Sequence, residues 1–247
     1  MPGSNALAAV VFAAGRGKRL RPLTDLRPKP LCPVGNVALL DRALAIASEV
    51  TPYAAVNACH LAEQVVAHVG ERAYVEVEPE ALGTAGALGN LNSWLDGKDV
   101  LALNGDAYRP GSLREFVDGW DGQRIRLLVV HDPERGDFGE WRYAGAALHP
   151  WRTVSDLEAT PSGLYEALWR HAEPELVPWE GTFVDCGTVG DYLAANMHAS
   201  GGASVVGEGA RIEGELVRSV VWPGGVVRSG ERLVDAVRTE TGLTVHG

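Results

Sequence analysis

The chain has 247 residues, enough for one sizeable α/β domain with a small appendage and for a core that needs no disulfide or metal staple. Its 46% apolar and 22% charged residues are a globular composition, and a net charge of −10 excludes a general nucleic-acid binder, which needs Lys and Arg spread over a whole face. Cys32, Cys59 and Cys186 are odd in number and sit at no metal spacing. No apolar run reaches the roughly 18 residues of a membrane helix, and the first residues lack the basic and apolar regions of a signal peptide. A cytoplasmic protein with reduced cysteines, and with neither a nucleic-acid nor a membrane partner, is the expectation.

Leu7 to Ala13 is a continuous apolar run, which predicts a buried parallel strand. A glycine-rich loop follows, and then Val37 to Val50 carries Leu39, Leu40, Ala43, Leu44, Ala47 and Val50 at helical spacing, with Asn36 as the expected N-cap. The alternation continues: strand 53–59, helix 62–69, strand 73–77, helix 84–95, strand 100–103, helix 112–120. Strand-like segments at 125–130 and 143–149 come next, then a helix over 163–172, a short strand in "TFVDCG" and a helix over 190–199. Such alternation predicts parallel strands with crossover helices on both faces, a three-layer αβα Rossmann-like α/β fold. Near Gly201 the texture changes. Glycines recur every few residues, and aliphatics stand six apart at Val206 and Ile212 and again at Val220 and Val226, the period of a left-handed parallel β-helix. The expected division is a catalytic domain over 1–200 and a short β-helix tail over 201–247 that caps the sheet or serves contacts in a homo-oligomer.

The loop after the first strand concentrates charge. From Gly15 to Lys29 it carries Arg16, Lys18, Arg19, Arg21, Arg27 and Lys29, with Asp25 as its one acid. In open parallel sheets ligands bind beyond the carboxyl ends of the strands, and a cationic loop there suits a small, highly charged anion. Gly15 and Gly17 let the backbone turn and approach phosphate oxygens, while Pro28 and Pro30 stiffen the segment holding Lys29. The dinucleotide fingerprint fails at Leu20, and the P-loop fails at Phe12 and Arg19. Asp106 in "LALNGDAY" and Asp185 in "FVDCGT" each follow a short apolar run. Together they are a fit pair for Mg²⁺, which is usually held by one or two carboxylates plus substrate phosphates. "EPEALGTAGALGNL" places Gly83, Thr84 and Gly86 at a helix start, where backbone could approach a nucleobase, with Glu80 as acceptor; a plain helix start with a Thr cap is the competing reading. The seven histidines show no metal-ligand pairing, and Trp94, Trp120, Trp169 and Trp222 read as core or interface residues.

Taken together, "GKRLRPLT" and "PKPLCPVGN" resemble the opening signature of the sugar-1-phosphate nucleotidylyltransferases, and residues 1 to about 200 follow that family's order. The resemblance implies an enzyme that joins a nucleoside triphosphate to a sugar 1-phosphate, giving an NDP-sugar and pyrophosphate, with Mg²⁺ as cofactor. By matching position it implies Arg19 on the leaving pyrophosphate, Lys29 near the phosphates and Asp106 and Asp185 on the metal, Asp106 counting also as catalytic. It further implies Ala14, Gly15, Arg16, Gly17 and Lys18 along the triphosphate, Glu80, Gly83 and Thr84 at the base, and Asn104 and Gly145 at the sugar. The family's E-K-P segment, whose lysine holds the sugar phosphate, is missing, and Arg142 or Arg135 are the candidate substitutes. "LGTAGAL" is similar to mannose-1-phosphate guanylyltransferases, whereas "RGDF" is similar to N-acetylmuramate-1-phosphate uridylyltransferases; the first similarity points to GTP and mannose 1-phosphate, the second to UTP. A non-catalytic sugar-nucleotide sensor is the rival from another class. Such members lose a metal ligand or a loop cation, and Arg19, Lys29, Asp106 and Asp185 all remain.

Overall fold

The structure is a computed structural model and describes residues 6–247. Its largest element is a seven-stranded mixed sheet running, in order, Tyr74–Val77, Ala54–Ala58, Leu7–Phe12, Asp99–Asn104, Trp141–His149, Arg126–His131 and Glu175–Pro178. The first four strands are mutually parallel, and Glu175–Pro178 is parallel to Arg126–His131; only Trp141–His149 runs against its two neighbours. The fold is therefore the expected α/β class with a mostly parallel sheet. Ala8, Ala9, Val10 and Val11 are all fully buried, as a strand covered on both faces requires. Ala8 and Val10 pack with Ala102, Leu127 and Ala147 of neighbouring strands and with Leu88, Leu91 and Leu95 of the helices Gly83–Asn90 and Asn92–Leu95.

By packing, the chain forms two compact units. One comprises the residues up to Gly15, Arg42–Gly105 and Arg109–Phe183, and holds the sheet. The other comprises Arg16–Asp41, Asp106–Tyr108 and Val184–Gly247. The second unit contains the tail, a three-sided parallel coil. Val205–Val206, Val220–Val221 and Ala236–Arg238 stack as one face, Arg211–Ile212 and Val226–Val227 as the next, and Glu215–Val217 and Arg232–Val234 as the third. Val221, Val227, Leu233 and Ala236 fill its interior, and Thr244–His246 closes it by pairing antiparallel with Ala236–Arg238. The coil also has an apolar exterior. Val205, Val220, Trp222 and Val237 form one core with Tyr192 and Leu193 of the helix Val189–Ala199 and with Leu20, Leu23, Cys32 and Val34 of the loop.

Several elements differ from the sequence reading. Val37 is not helical: Val37–Ala38 pairs antiparallel with Pro33–Val34, and the helix runs Leu39–Val50. Gly35 and Asn36 lie at φ +57° and +64°, the geometry of a two-residue hairpin turn, so Asn36 is a turn residue and not an N-cap. Its side-chain amide donates to the carbonyl of Val206 at 2.9 Å. The helix expected over 84–95 breaks at Leu91, and that over 163–172 is a short α-turn, Leu164–Ala167, followed by the 3₁₀ turn Trp169–His171. "TFVDCG" holds a single antiparallel bridge, Tyr108 to Val184, in place of a strand. The strand Glu175–Pro178 was not foreseen.

Candidate active site

In the second unit the loop is built around Gly17. Its backbone is left-handed, at φ +57° and ψ +35°, and a β-carbon there would lie 2.8 Å from Thr24 Cγ2 and 3.1 Å from Lys29 Cβ. Glycine is thus required twice, by conformation and by space. Thr24 Oγ1 donates to the Gly17 carbonyl at 3.0 Å, the turn Lys18–Leu20 follows, and Leu20 and Leu23 anchor the segment in the core. Asp25, the loop's one acid, is paired with Arg21 at 3.1 Å. Arg16, Lys18 and Arg19 stay exposed.

Lys29 is the exception among these cations, because it is only 6% exposed. Its ammonium donates to Asp106 Oδ2 at 3.0 Å and to the main-chain carbonyl of Asp185 at 2.6 Å. Tyr108 and Val184 exchange two backbone hydrogen bonds, at 2.8 and 2.9 Å, and this antiparallel bridge sets the segments of Asp106 and Asp185 side by side. Arg19 approaches Asp185 Oδ2 at 3.9 Å, while Asp185 Oδ1 accepts from the Gly187 amide at 2.6 Å. A β-carbon on Gly187 would meet Arg19 Nη2 at 2.7 Å and Asp185 Oδ1 at 2.8 Å, so a larger residue there would displace one or both of these side-chain ends. Between them Cys186 takes φ +51° and turns inward; burial pushes its thiol up to about 12, with Lys29 partly opposing. Arg19, Lys29, Asp106 and Asp185 are therefore brought together, two cations interleaved with two carboxylates.

The expected base and sugar residues lie in the sheet unit. Glu80 is exposed. Gly83, Gly86 and Gly89 make a close backbone approach, but to the chain itself: β-carbons there would lie 2.4, 2.2 and 2.4 Å from the main chain of Ser162, Thr160 and Glu158. Thr84 Oγ1 accepts from the Leu164 amide at 2.9 Å. Ala14 is buried, and Gly15 is open, with no atom within 4 Å of a β-carbon position. Gly145 takes φ +77° beside Asn104 and Phe183, whose atoms would stand 3.4 and 3.6 Å from its β-carbon. Arg142 and Arg135 both pair with Asp132, at 3.6 and 3.1 Å.

A sequence profile described as nucleotidyl transferase matches residues 8–139, more than half of the chain. The chain belongs to the nucleotidyl transferase family. Among relatives of this nucleotidyl transferase, the N-acetylmuramate alpha-1-phosphate uridylyltransferase of Caulobacter vibrioides is 32% identical over 137 residues, covering 49% of the chain and 56% of the relative. The mannose-1-phosphate guanylyltransferase of Mycobacterium tuberculosis is 28% identical over 136 residues, covering 51% and 38%. The chain thus spans well under two thirds of the length of these curated relatives. The crystal structure of mannose-1-phosphate geranyltransferase from Thermus thermophilus superposes with a TM-score of 0.71 at 20% identity, covering 97% of this chain and 94% of that one, which establishes the shared fold.

In this nucleotidyl transferase no group of three or more His, Cys, Asp or Glu side chains is placed to hold a metal among the described residues. The donor set nevertheless fits Mg²⁺. Asp106 and Asp185 are hard oxygen donors with side chains 36% and 24% exposed, and such an ion usually completes its shell with water and substrate phosphate. Among the described residues no helix is long and apolar enough to cross a membrane.

Sequence reasoning missed two features of the sheet unit. Glu78, two residues before the proposed Glu80, is 2% exposed; it accepts from Asn57 Nδ2 at 2.7 Å and from the Leu82 amide at 3.0 Å, and Asn57 in turn accepts from the Ala13 amide at 2.8 Å. A Glu directly after a strand was the available signal. Arg109, buried after "NGDAY", carried no pattern at all.

Proposed function

We propose that this chain transfers a nucleotidyl group from a nucleoside triphosphate to a sugar 1-phosphate, releasing pyrophosphate. The observation that carries the reading is the buried Lys29 ammonium bonded to Asp106 and to the main chain of Asp185, with Arg19 beside the second carboxylate. A sugar phosphate oxygen is already anionic and needs no general base to attack the α-phosphorus; it needs relief from charge repulsion. As the new P–O bond forms, the bond from the α-phosphorus to the bridging oxygen breaks, and pyrophosphate departs with the electron pair. Lys29 offers a positive charge whose position two oxygens fix in advance, and Arg19, on its exposed arm, is suited to the leaving group. Asp106 and Asp185 would hold Mg²⁺, which supplies Lewis-acid neutralisation of phosphate oxygens when bound. Ala14, Gly15, Arg16, Gly17 and Lys18 are assigned to the triphosphate, Glu80, Gly83 and Thr84 to the base, and Asn104 and Gly145 to the sugar. The division into a catalytic domain over 1–200 and a tail belongs to the same reading.

GTP and mannose 1-phosphate are the proposed pair, supported by "LGTAGAL" and the mycobacterial relative. UTP with N-acetylmuramate 1-phosphate is the second reading, favoured by "RGDF" and by the higher identity to the Caulobacter relative. A pyrophosphate-release assay with the four common triphosphates against mannose, glucose, N-acetylglucosamine and N-acetylmuramate 1-phosphates tests both. Turnover with GTP and mannose 1-phosphate is expected. A chain that binds these ligands but releases no pyrophosphate from any pair would be a sensor, and the proposal would fall.

A further inference from the structure

Two arginines are buried in the sheet unit, and they differ in their partners. Arg126, 8% exposed, grips Glu175 with two nitrogens at 2.8 and 3.1 Å and donates to the carbonyls of Phe116 and Gly119 at 2.9 and 2.6 Å. Arg109 is 7% exposed and has neither a hydrogen bond nor an ion pair with any described residue; its Nη1 is buried and unpartnered. Burial lowers its pKa to about 10, which leaves it cationic at neutral pH. What holds it is an aromatic face, with Cζ 5.3 Å from the centre of the Trp179 ring. That ring is fixed by a hydrogen bond from its Nε1 to the Thr182 carbonyl at 3.1 Å and by Gly111 and Gly181, whose β-carbons would each lie 2.8 Å from it. The scaffold thus positions a charge and leaves it only partly answered.

A second unpartnered donor lies within electrostatic reach. Tyr143 Oη is buried with no hydrogen-bond partner among the described residues, and Arg109 and Tyr143 influence each other's ionisation. Their location follows from the register. Tyr143 pairs with Val129, and the Trp179 amide donates to the Val129 carbonyl, so Tyr143 and the Trp179 that carries Arg109 on its ring both flank the carboxyl half of Arg126–His131. Gly145, next to Asn104, lies two residues further along the strand of Tyr143. This is the sheet edge at which α/β proteins bind ligands.

A buried cation without a counter-ion does not stabilise a fold; replacing buried charge with apolar volume is often neutral or stabilising. The Trp179 ring answers the charge only in part, and a ligand oxyanion would answer it fully. We propose that Arg109 and Tyr143 form an oxyanion-binding site for the acceptor, taking a phosphate or carboxylate group that the sugar carries; the assignment to the acceptor rests on the nucleotidylyl-transfer reading above. Planar guanidinium and phenol donors match both anions, because each presents at least two acceptor oxygens.

Calorimetric titration and thermal melts of the full chain, its Arg109→Met, Arg109→Lys and Tyr143→Phe variants, with inorganic phosphate, mannose 1-phosphate and unphosphorylated N-acetylmuramate as probes, decide the matter. Arg109→Met should weaken at least one probe about tenfold or more, Arg109→Lys and Tyr143→Phe by less, while the ligand-free melting temperature of Arg109→Met stays equal or rises. Loss confined to N-acetylmuramate identifies a carboxylate site, and loss of both phosphate probes a phosphate site. The proposal is overturned if no probe binds the wild type, or if Arg109→Met binds all three as the wild type does, whatever its melting temperature. Failure of the transfer reading is separate: it would appear as absent pyrophosphate release from the wild type, with the probe titrations still readable.

Discussion

The two glycine-rich segments look alike in sequence and are opposites in use. In "GRGKRL" Gly15 faces open space, and Gly17 holds a left-handed turn that packs Thr24 and Lys29 together. In "LGTAGALG" all three glycines press on the main chain of residues 158–162, at distances no β-carbon could share. A missing side chain can admit a ligand or admit the protein's own backbone, and glycine spacing does not say which. The "LGTAG" run therefore weighs less as an indicator of the base than it does by pattern alone.

The most damaging test of this contrast removes the support of the first segment from a distance. Trp222 is fully buried, donates to Tyr192 Oη at 3.0 Å and packs with Leu20 and Leu23, while Tyr192 donates to the Pro33 carbonyl. Trp222→Ala should cost about 3–5 kcal/mol in chemical denaturation, with loss of activity preceding global unfolding. If the loop stands without the coil, activity per folded molecule will be unchanged. Asp106→Asn should next reduce pyrophosphate release by about a hundredfold to a thousandfold with the melting temperature changed far less, the typical consequence of losing one pre-organised electrostatic group. An unaffected rate would remove the cluster from the chemistry.

Gly86→Ala sharpens the other side. Its new methyl would meet the Thr160 carbonyl at 2.2 Å, a backbone atom that cannot rotate away, so a loss of about 1–3 kcal/mol is expected by thermal or urea melts. Gly15→Ala, with nothing to collide with, should shift stability by less than about 0.5 kcal/mol, so any change in its KM for triphosphate reports on the ligand. Smallest of all is the effect of a thiol reagent. Burial raises Cys32 and Cys186 to about 12, so at pH 8 only Cys59, half-buried, should be labelled in the folded chain by a chromogenic disulfide; three fast thiols would contradict the packing of the loop core.

Elements with strong period or capping were legible. Ala62–Val69 matches its expected span, and the apolar run at Leu7 is the central strand. Boundaries failed where tertiary contacts override local pattern: Val37 has a helical spacing to Leu40 and Leu44, yet Gly35-Asn36 forces a hairpin first. Glu175–Pro178 was invisible because prolines flank and end it, which demotes a strand in any sequence reading. The six-residue period of the tail was real but loose, since paired residues such as Val205 and Val220 stand fifteen apart and Glu215 and Arg232 seventeen. In the candidate site the ionic cluster was foreseeable, because charged residues beside glycine and proline leave a pattern. Arg109 was not, because what distinguishes it is a lack of partners, and that exists only in three dimensions.

The oxygens that bind Lys29 belong to residues 77 and 156 positions further along the chain. During synthesis, then, the ammonium emerges long before Asp185 exists, and the loop's apolar anchors wait still longer for Trp222. A ribosome can complete the sheet while the charged cluster is still unassembled, so partial chains present the cations without Asp185, and the cluster can form only once about three quarters of the polypeptide has been made.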